Sequence, residues 1–122
     1  MESVRKVIFF KSHFTDFYDE QSEKVKSKID EVLFLISVIE RIPSKFLKHL
    51  EGTEGLYEIR IEAGNNIFRI FCCFDEGKLV VLFNGFQKKT QKTPKSEIEK
   101  AEKLKQEYFN GKAKNKKDGQ KK

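Results

Sequence analysis

Residues 56–90 read LYEIRIEAGNNIFRIFCCFDEGKLVVLFNGFQKKT, and how this stretch pairs with itself decides the fold. Three runs rich in β-branched and aromatic residues, LYEIRIE, NIFRIFCCFD and KLVVLFNGF, are separated by the turn signals AGN and EG. Sequential strands with such short connections form an antiparallel meander. A turn centred between Gly64 and Asn65 sets Arg60 opposite Arg69. A turn centred between Glu76 and Gly77 sets Arg69 opposite Asn84. All three side chains then leave one face of the sheet, and a three-residue loop at either turn would break that register.

Two arginines directly opposite each other repel unless something negative lies between or above them. Glu58 and Glu62 are diagonal neighbours of Arg69 in this register and supply a purely structural answer. An external anion, such as a phosphate, is the functional one. The continuation GFQKKTQKTPKSEIEKA places Lys88, Lys89, Lys92 and Lys95 just past the meander, with no acid until Glu97. Such a loop is commonly a solvated turn. Beside the arginine face, however, it brings Arg60, Arg69, Lys88, Lys89 and Lys92 together, a concentration of cations suited to phosphate.

Overall charge makes that concentration informative. The formal charge of the 122-residue chain is +6, but residues 111–122, GKAKNKKDGQKK, hold six lysines against one aspartate and account for +5. Residues 1–110 are therefore nearly neutral. The tail has no apolar residue larger than alanine, and composition predicts a disordered lysine-rich tail after a single domain spanning residues 1–110.

Upstream, VRKVIFF at residues 4–10 predicts a first strand. From Thr15 to Arg41 there is no glycine or proline, and Phe17, Val25, Ile29, Val32, Leu33, Ile36 and Ile39 recur at helical steps. This predicts one long amphipathic helix, allowing a single break, although no clear turn is visible. PSKFLKHLEG then suggests a short helix ended by Gly52, and the chain closes with a helix that starts at Thr93 as N-cap and Pro94 as first residue. Its narrow apolar stripe is Ile98, Ala101, Leu104 and Tyr108. The order is β, long α, short α, βββ, α, and the class is α+β.

Several function classes are excluded. No run is apolar enough to span a bilayer, and the N-terminus reaches charged residues too early for a secretory signal, which predicts a cytoplasmic protein with no membrane partner. Adjacent Cys72 and Cys73 point to opposite faces of a strand and cannot easily bridge each other. They are expected to be small apolar residues in a reducing compartment. No metal site and no cofactor are expected, because the carboxylates lie along a helix face without convergence.

The ordered combination LYEIR, FRIF, an apolar strand, GFQKKTQKTP and EIEKA resembles the HigB-like branch of the RelE superfamily of bacterial toxins. The resemblance covers about residues 50–105. It implies a small RelE-like fold, with an antiparallel sheet formed by the N-terminal strand and the meander, helices packed on one side and a shallow basic face on the other. It implies a type II toxin that cleaves messenger RNA at the ribosomal decoding site, and a cognate antitoxin, usually of helix-turn-helix type. The implied partners are that antitoxin, the ribosome and mRNA. The implied catalytic residues are Arg60, Arg69, Lys88 and Lys89, with Lys92, Lys95, Asn84 and Phe86 as RNA contacts. Phe86 would stack on a base, and a buried aromatic closing the core is its bland alternative. The chain departs from the family in offering no histidine or tyrosine near the end of the last strand and no clear two-helix hairpin. His49, beside Leu47 and Leu50, is read as a packing or surface residue.

Overall fold

The computed structural model describes residues 2–120, of which 114–120 are described by backbone alone. Strand β1 (Lys6–Phe9) leads into helices α1 (His13–Asp19) and α2 (Glu23–Val38). Strands β2 (Leu47–His49), β3 (Tyr57–Ala63), β4 (Asn66–Asp75) and β5 (Leu79–Lys88) follow, and helix α3 (Lys95–Gln120) ends the described chain. The strands form one sheet in the order β1-β5-β4-β3-β2. The α+β class and the meander are as expected from the sequence.

The long helical stretch is broken at Glu20–Ser22. Ser22 turns extended, with φ −67° and ψ 162°, and its hydroxyl accepts a hydrogen bond from Val25 N, so it caps α2. A serine followed by charged residues inside a helical pattern was the available sign of this break. The stretch is thus two helices, although no clear turn is visible in the sequence.

PSKFLKHLEG is not a helix. The Pro43 carbonyl accepts from Phe46 N and Leu47 N in a turn, and the chain then extends as β2 along the outer edge of β3. The apolar spacing of Phe46, Leu47 and Leu50 suits a helix, but β3 offers a row of unpaired backbone groups. Pairing with them satisfies more polar groups than one isolated helical turn would.

β1 lies parallel to β5, which makes the sheet mixed instead of wholly antiparallel. A parallel neighbour needs a crossover connection, and here everything from α1 to β4 supplies it. No local turn signal records the direction of a strand placed that way.

Two cores share the sheet. On one side, α1 and α2 cover Ile59, Ile61, Phe68, Ile70, Val80 and Leu82. On the other, α3 covers Leu56, Phe71, Cys73, Val81, Phe83 and Phe86 with Ala101 and Leu104. Helices therefore occupy both faces, and α3 leaves only part of its face open. The Pro94 carbonyl accepts from Glu97 N and Ile98 N at the start of α3, one residue later than a Thr93 cap implies. The helix runs past residue 111 without interruption, where the sequence predicts a disordered tail, and Lys112 is tied to Asp75 at 2.6 Å. Lys121 and Lys122 of that tail lie outside the described residues.

Candidate nucleic-acid interface

The β3–β4 hairpin turns on Gly64 and Asn65, with Gly64 at φ +63°, and pairs Arg60 with Arg69 as its turn signal predicts. The β4–β5 hairpin differs. Asp75 pairs with Leu79 across the three-residue loop Glu76–Lys78, with Glu76 and Gly77 at positive φ. A bulge follows, since Ile70 pairs with Gly85 but Cys72 with Leu82, so Phe83 and Asn84 together oppose the single Phe71. The two irregularities displace the register by two residues in all. Arg69 consequently faces Phe86, not Asn84.

The bulge is built for packing. Gly85 faces α1, where a Cβ would lie 2.5 Å from the Phe17 ring. Only glycine lets this helix approach so closely. Asn84 is buried and donates from Nδ2 to the Glu97 carbonyl at 3.1 Å and to its carboxylate at 2.9 Å, fastening β5 to the first turn of α3. Phe86 is buried as well, 5.2 Å from the Phe71 ring in an edge-on arrangement. Neither is placed to touch RNA as the resemblance implies. The bulge and the helix above it place both in the core.

What remains open on the α3 side of the sheet follows from cross-strand pairing. Lys48 is partnered with Glu58, Arg60 with Arg69, Glu62 with Ile67, and Ile67 with Lys88. These residues share one face. Glu58 stands between the guanidiniums: its carboxylate oxygens lie 3.4 Å from Arg69 Nε and 3.8 Å from Arg60 Nε. Neither contact has hydrogen-bond geometry, and Glu58 Oε2, Arg60 Nε and Arg69 Nε are all buried without such a partner. Arg69 is only 4% exposed, and its Nη1 donates to the Phe68 carbonyl at 3.1 Å. Burial pulls the Arg69 guanidinium below its ordinary pKa, Glu58 opposes that, and Arg60 adds to it. The Arg60 side chain is 35% exposed and is the accessible member of the pair.

The glutamate thus acts as the internal partner for the arginines. Two cations share its carboxylate, Glu62 acts on Arg69 from the same face, and Lys48 and Lys88 tip this site on the half-covered sheet to net positive. Next to it, one same-face step along the strands or about 7 Å, a groove of about 650 Å³ is lined by Asn65, Asn66, Ile67, Gln87, Lys88 and Lys89 among others. Gln87 Nε2 donates to Asn66 Oδ1 at 3.3 Å across its floor. Lys88 is half-buried at its wall, whereas Lys89, Lys92 and Lys95 are exposed along the loop and the start of α3.

Lys48 was missed in the sequence because β2 reads as a helix there. His49, its neighbour, pairs with Tyr57 and meets that ring edge-on at 5.3 Å, on the opposite side of the sheet from the arginines. It is an exposed residue that touches Tyr57, within the packing-or-surface expectation. Cys72 and Cys73 are buried in the two different cores, with free thiols whose pKa values are raised by burial. No helix among the described residues is long and apolar enough to cross a membrane.

Fold and site define a small RelE-like α+β domain with a basic face on its sheet. The fold is shared with a chain of the archaeal RelE-RelB complex from Pyrococcus horikoshii OT3, with a TM-score of 0.52 and 18% identity over 69% of this chain and 94% of that one. Residues 16–106 match the model of the family described as phage derived protein Gp49-like, and the chain belongs to that family. A search of curated proteins finds no match.

Proposed function

We propose that this protein is the toxin of a type II toxin-antitoxin pair, a HigB-like, ribosome-dependent endoribonuclease that needs no metal. The observation that carries the reading is the pair of arginines held face to face around one carboxylate, beside a lysine-lined groove. On this face Arg60, Arg69 and Lys88 outnumber Glu58 and Glu62, which leaves capacity for a further anion, and RNA phosphate fits it. The RelE-like fold and Gp49-like family support the class, and the solved neighbour comes from a RelE-RelB complex, which supports an antitoxin as partner.

RNA cleavage of this kind uses the substrate's 2′-hydroxyl as nucleophile. As its proton passes to water, the oxygen attacks the adjacent phosphorus to form a 2′,3′-cyclic phosphate, the P–O5′ bond breaks, and the 5′-oxygen leaves with a proton. The protein has to hold the backbone in line and stabilise the added negative charge of the phosphorane. Exposure supports a division of roles among the candidate cations. Arg60 reaches the scissile phosphate, while Arg69 holds Glu58 and contributes charge from behind. Lys88 and Lys89 bind flanking phosphates in the groove, one of them donating the leaving-group proton, with Lys92, Lys95 and Lys48 at the margin. The absence of a histidine on this face among the described residues fits an enzyme whose substrate is oriented by the ribosome.

That same absence favours one rival, a non-catalytic protein that blocks translation by occupying the ribosome. Primer extension on a defined mRNA, with and without translating ribosomes, separates the two when wild type is compared with Arg60→Ala. Cutting that requires ribosomes and disappears in the variant, while ribosome association persists, establishes the nuclease. Ribosome binding without cutting by the wild type establishes the rival.

A further inference from the structure

A second surface lies on the other side of the sheet. β1 is an edge strand, and Lys6 N and Phe10 N donate to the carbonyls of Lys78, just before β5, and of Leu82 within it, each at 3.0 Å. In a parallel ladder the intervening residues turn both backbone groups away. Val7 and Phe9 therefore present their N–H and C=O groups along the open edge.

Beside this edge runs a groove of about 690 Å³, walled by Val7, Phe9 and Phe14 on one side and by Leu33 and Phe34 of α2 on the other. Phe9 is 53% exposed and Phe34 54%, the two largest exposures among the described large apolar side chains. Edge strands are normally blunted by charge, proline or a covering element. Within β1 Lys6 alone is charged, and the apolar groove directly adjoins the unpaired backbone.

We infer that β1 accepts an added strand: an extended segment of a partner protein, with alternate apolar side chains seated between Phe9 and Phe34 and acidic residues flanking them. The open backbone selects an extended chain over a helix, because a helix brings no free N–H or C=O groups along its length to meet it. The rim selects the charge. The Arg5 guanidinium is already committed to the carbonyls of Ile36, Ile39 and Glu40 at the end of α2, and Asp30 accepts from the Tyr18 hydroxyl. Lys6 is left exposed at the strand and calls for an acid. A second copy of this chain is a poorer occupant, since pairing β1 with β1 would bring one Lys6 towards another without supplying an acid. The surface lies across the sheet from Arg60 and Arg69, and its occupancy does not depend on cleavage by them.

The test is an array of short extended peptides in which Val, Ile, Leu or Phe alternates with Asp, Glu or Thr, probed with the full chain. Tight binders are then titrated in solution. Saturable binding, slowed hydrogen exchange at the Val7 and Phe9 amides, and at least about tenfold weakening by Phe34→Asp are expected, with Phe109→Asp as an exposed control that leaves affinity unchanged. Circular dichroism checks that the variants fold. Binding that Phe34→Asp does not weaken, or no array binding by the folded chain, overturns the proposal. So does a peptide-free dimer that the same substitution dissociates, which would make a second copy the occupant.

Discussion

Glu58 Oε2 lies 3.4 Å from Arg69 Nε, both atoms buried and neither with a hydrogen bond to complete it. The pair is held by charge more than by directed bonding. Removing the carboxylate would leave two opposed guanidiniums, one of them almost wholly buried. Glu58→Gln is therefore expected to cost roughly 3 kcal/mol of stability, read by chemical denaturation. Where the variant stays folded, its affinity for a short RNA rises, because the internal competitor for the arginines is gone. Weaker RNA binding by a folded Glu58→Gln protein would mean the carboxylate is required at the site itself.

Lys88 and Lys89 line the groove and should act through phosphate. Replacing either by alanine is expected to weaken binding evenly across RNA sequences and to lower the slope of log affinity against log salt by about 0.7 for single-stranded RNA. Titrations at several salt concentrations measure this. A change confined to particular sequences would assign the lysines to base edges instead.

Gly85 is the position at which β5 admits α1. Gly85→Ala places a methyl carbon into the Phe17 ring, and a loss of about 1–3 kcal/mol is expected from overpacking. Phe17→Leu in the same chain should recover part of that loss. The two substitutions are in contact, so their effects will not add. Additive losses would show that the ring does not limit the approach.

The far end of α3 is tied by Asp75, which accepts from Tyr108 at 2.7 Å and from Lys112 at 2.6 Å. Lys112 first, and Tyr108 with it, hold the Asp75 carboxyl below its ordinary value of about 3.8. A depressed carboxylate contributes stability above its unfolded pKa and loses it as pH falls through the folded one. Acid unfolding below about pH 4 should therefore steepen relative to Asp75→Asn, which lacks this contribution at every pH. Truncation after Ala113 should leave the tie intact, whereas truncation after Asn110 removes Lys112 and keeps only the Tyr108 bond. Equal melting temperatures for the two truncations would contradict the role of Lys112.

Sequence patterns conveyed the meander and the opposed arginines because Gly64 and Asn65 make a two-residue turn and alternation assigns faces. They failed one hairpin later. EG became a three-residue loop, and the bulge at Phe83 and Asn84 answers to Phe17 on a helix far away in sequence. No local pattern carries that information. For the same reason Asn84 and Phe86 looked available to RNA: whether α3 covers them depends on where the helix docks. β2 was hidden by apolar spacing compatible with a helix, and Lys48 with it. The direction of β1 was undetermined because its partner lies some seventy residues away.

The neighbouring cysteines of β4 give the fold an internal clock for each of its halves. Cys72 is sealed beneath α1 and α2, and Cys73, its thiol pushed up to about 11, beneath α3. A thiol reagent can reach either only when the helices above it lift away. Single-cysteine versions of the chain would thus time the departure of α3 separately from that of the helical pair. One strand would report whether the two coverings of the sheet come off together or in turn.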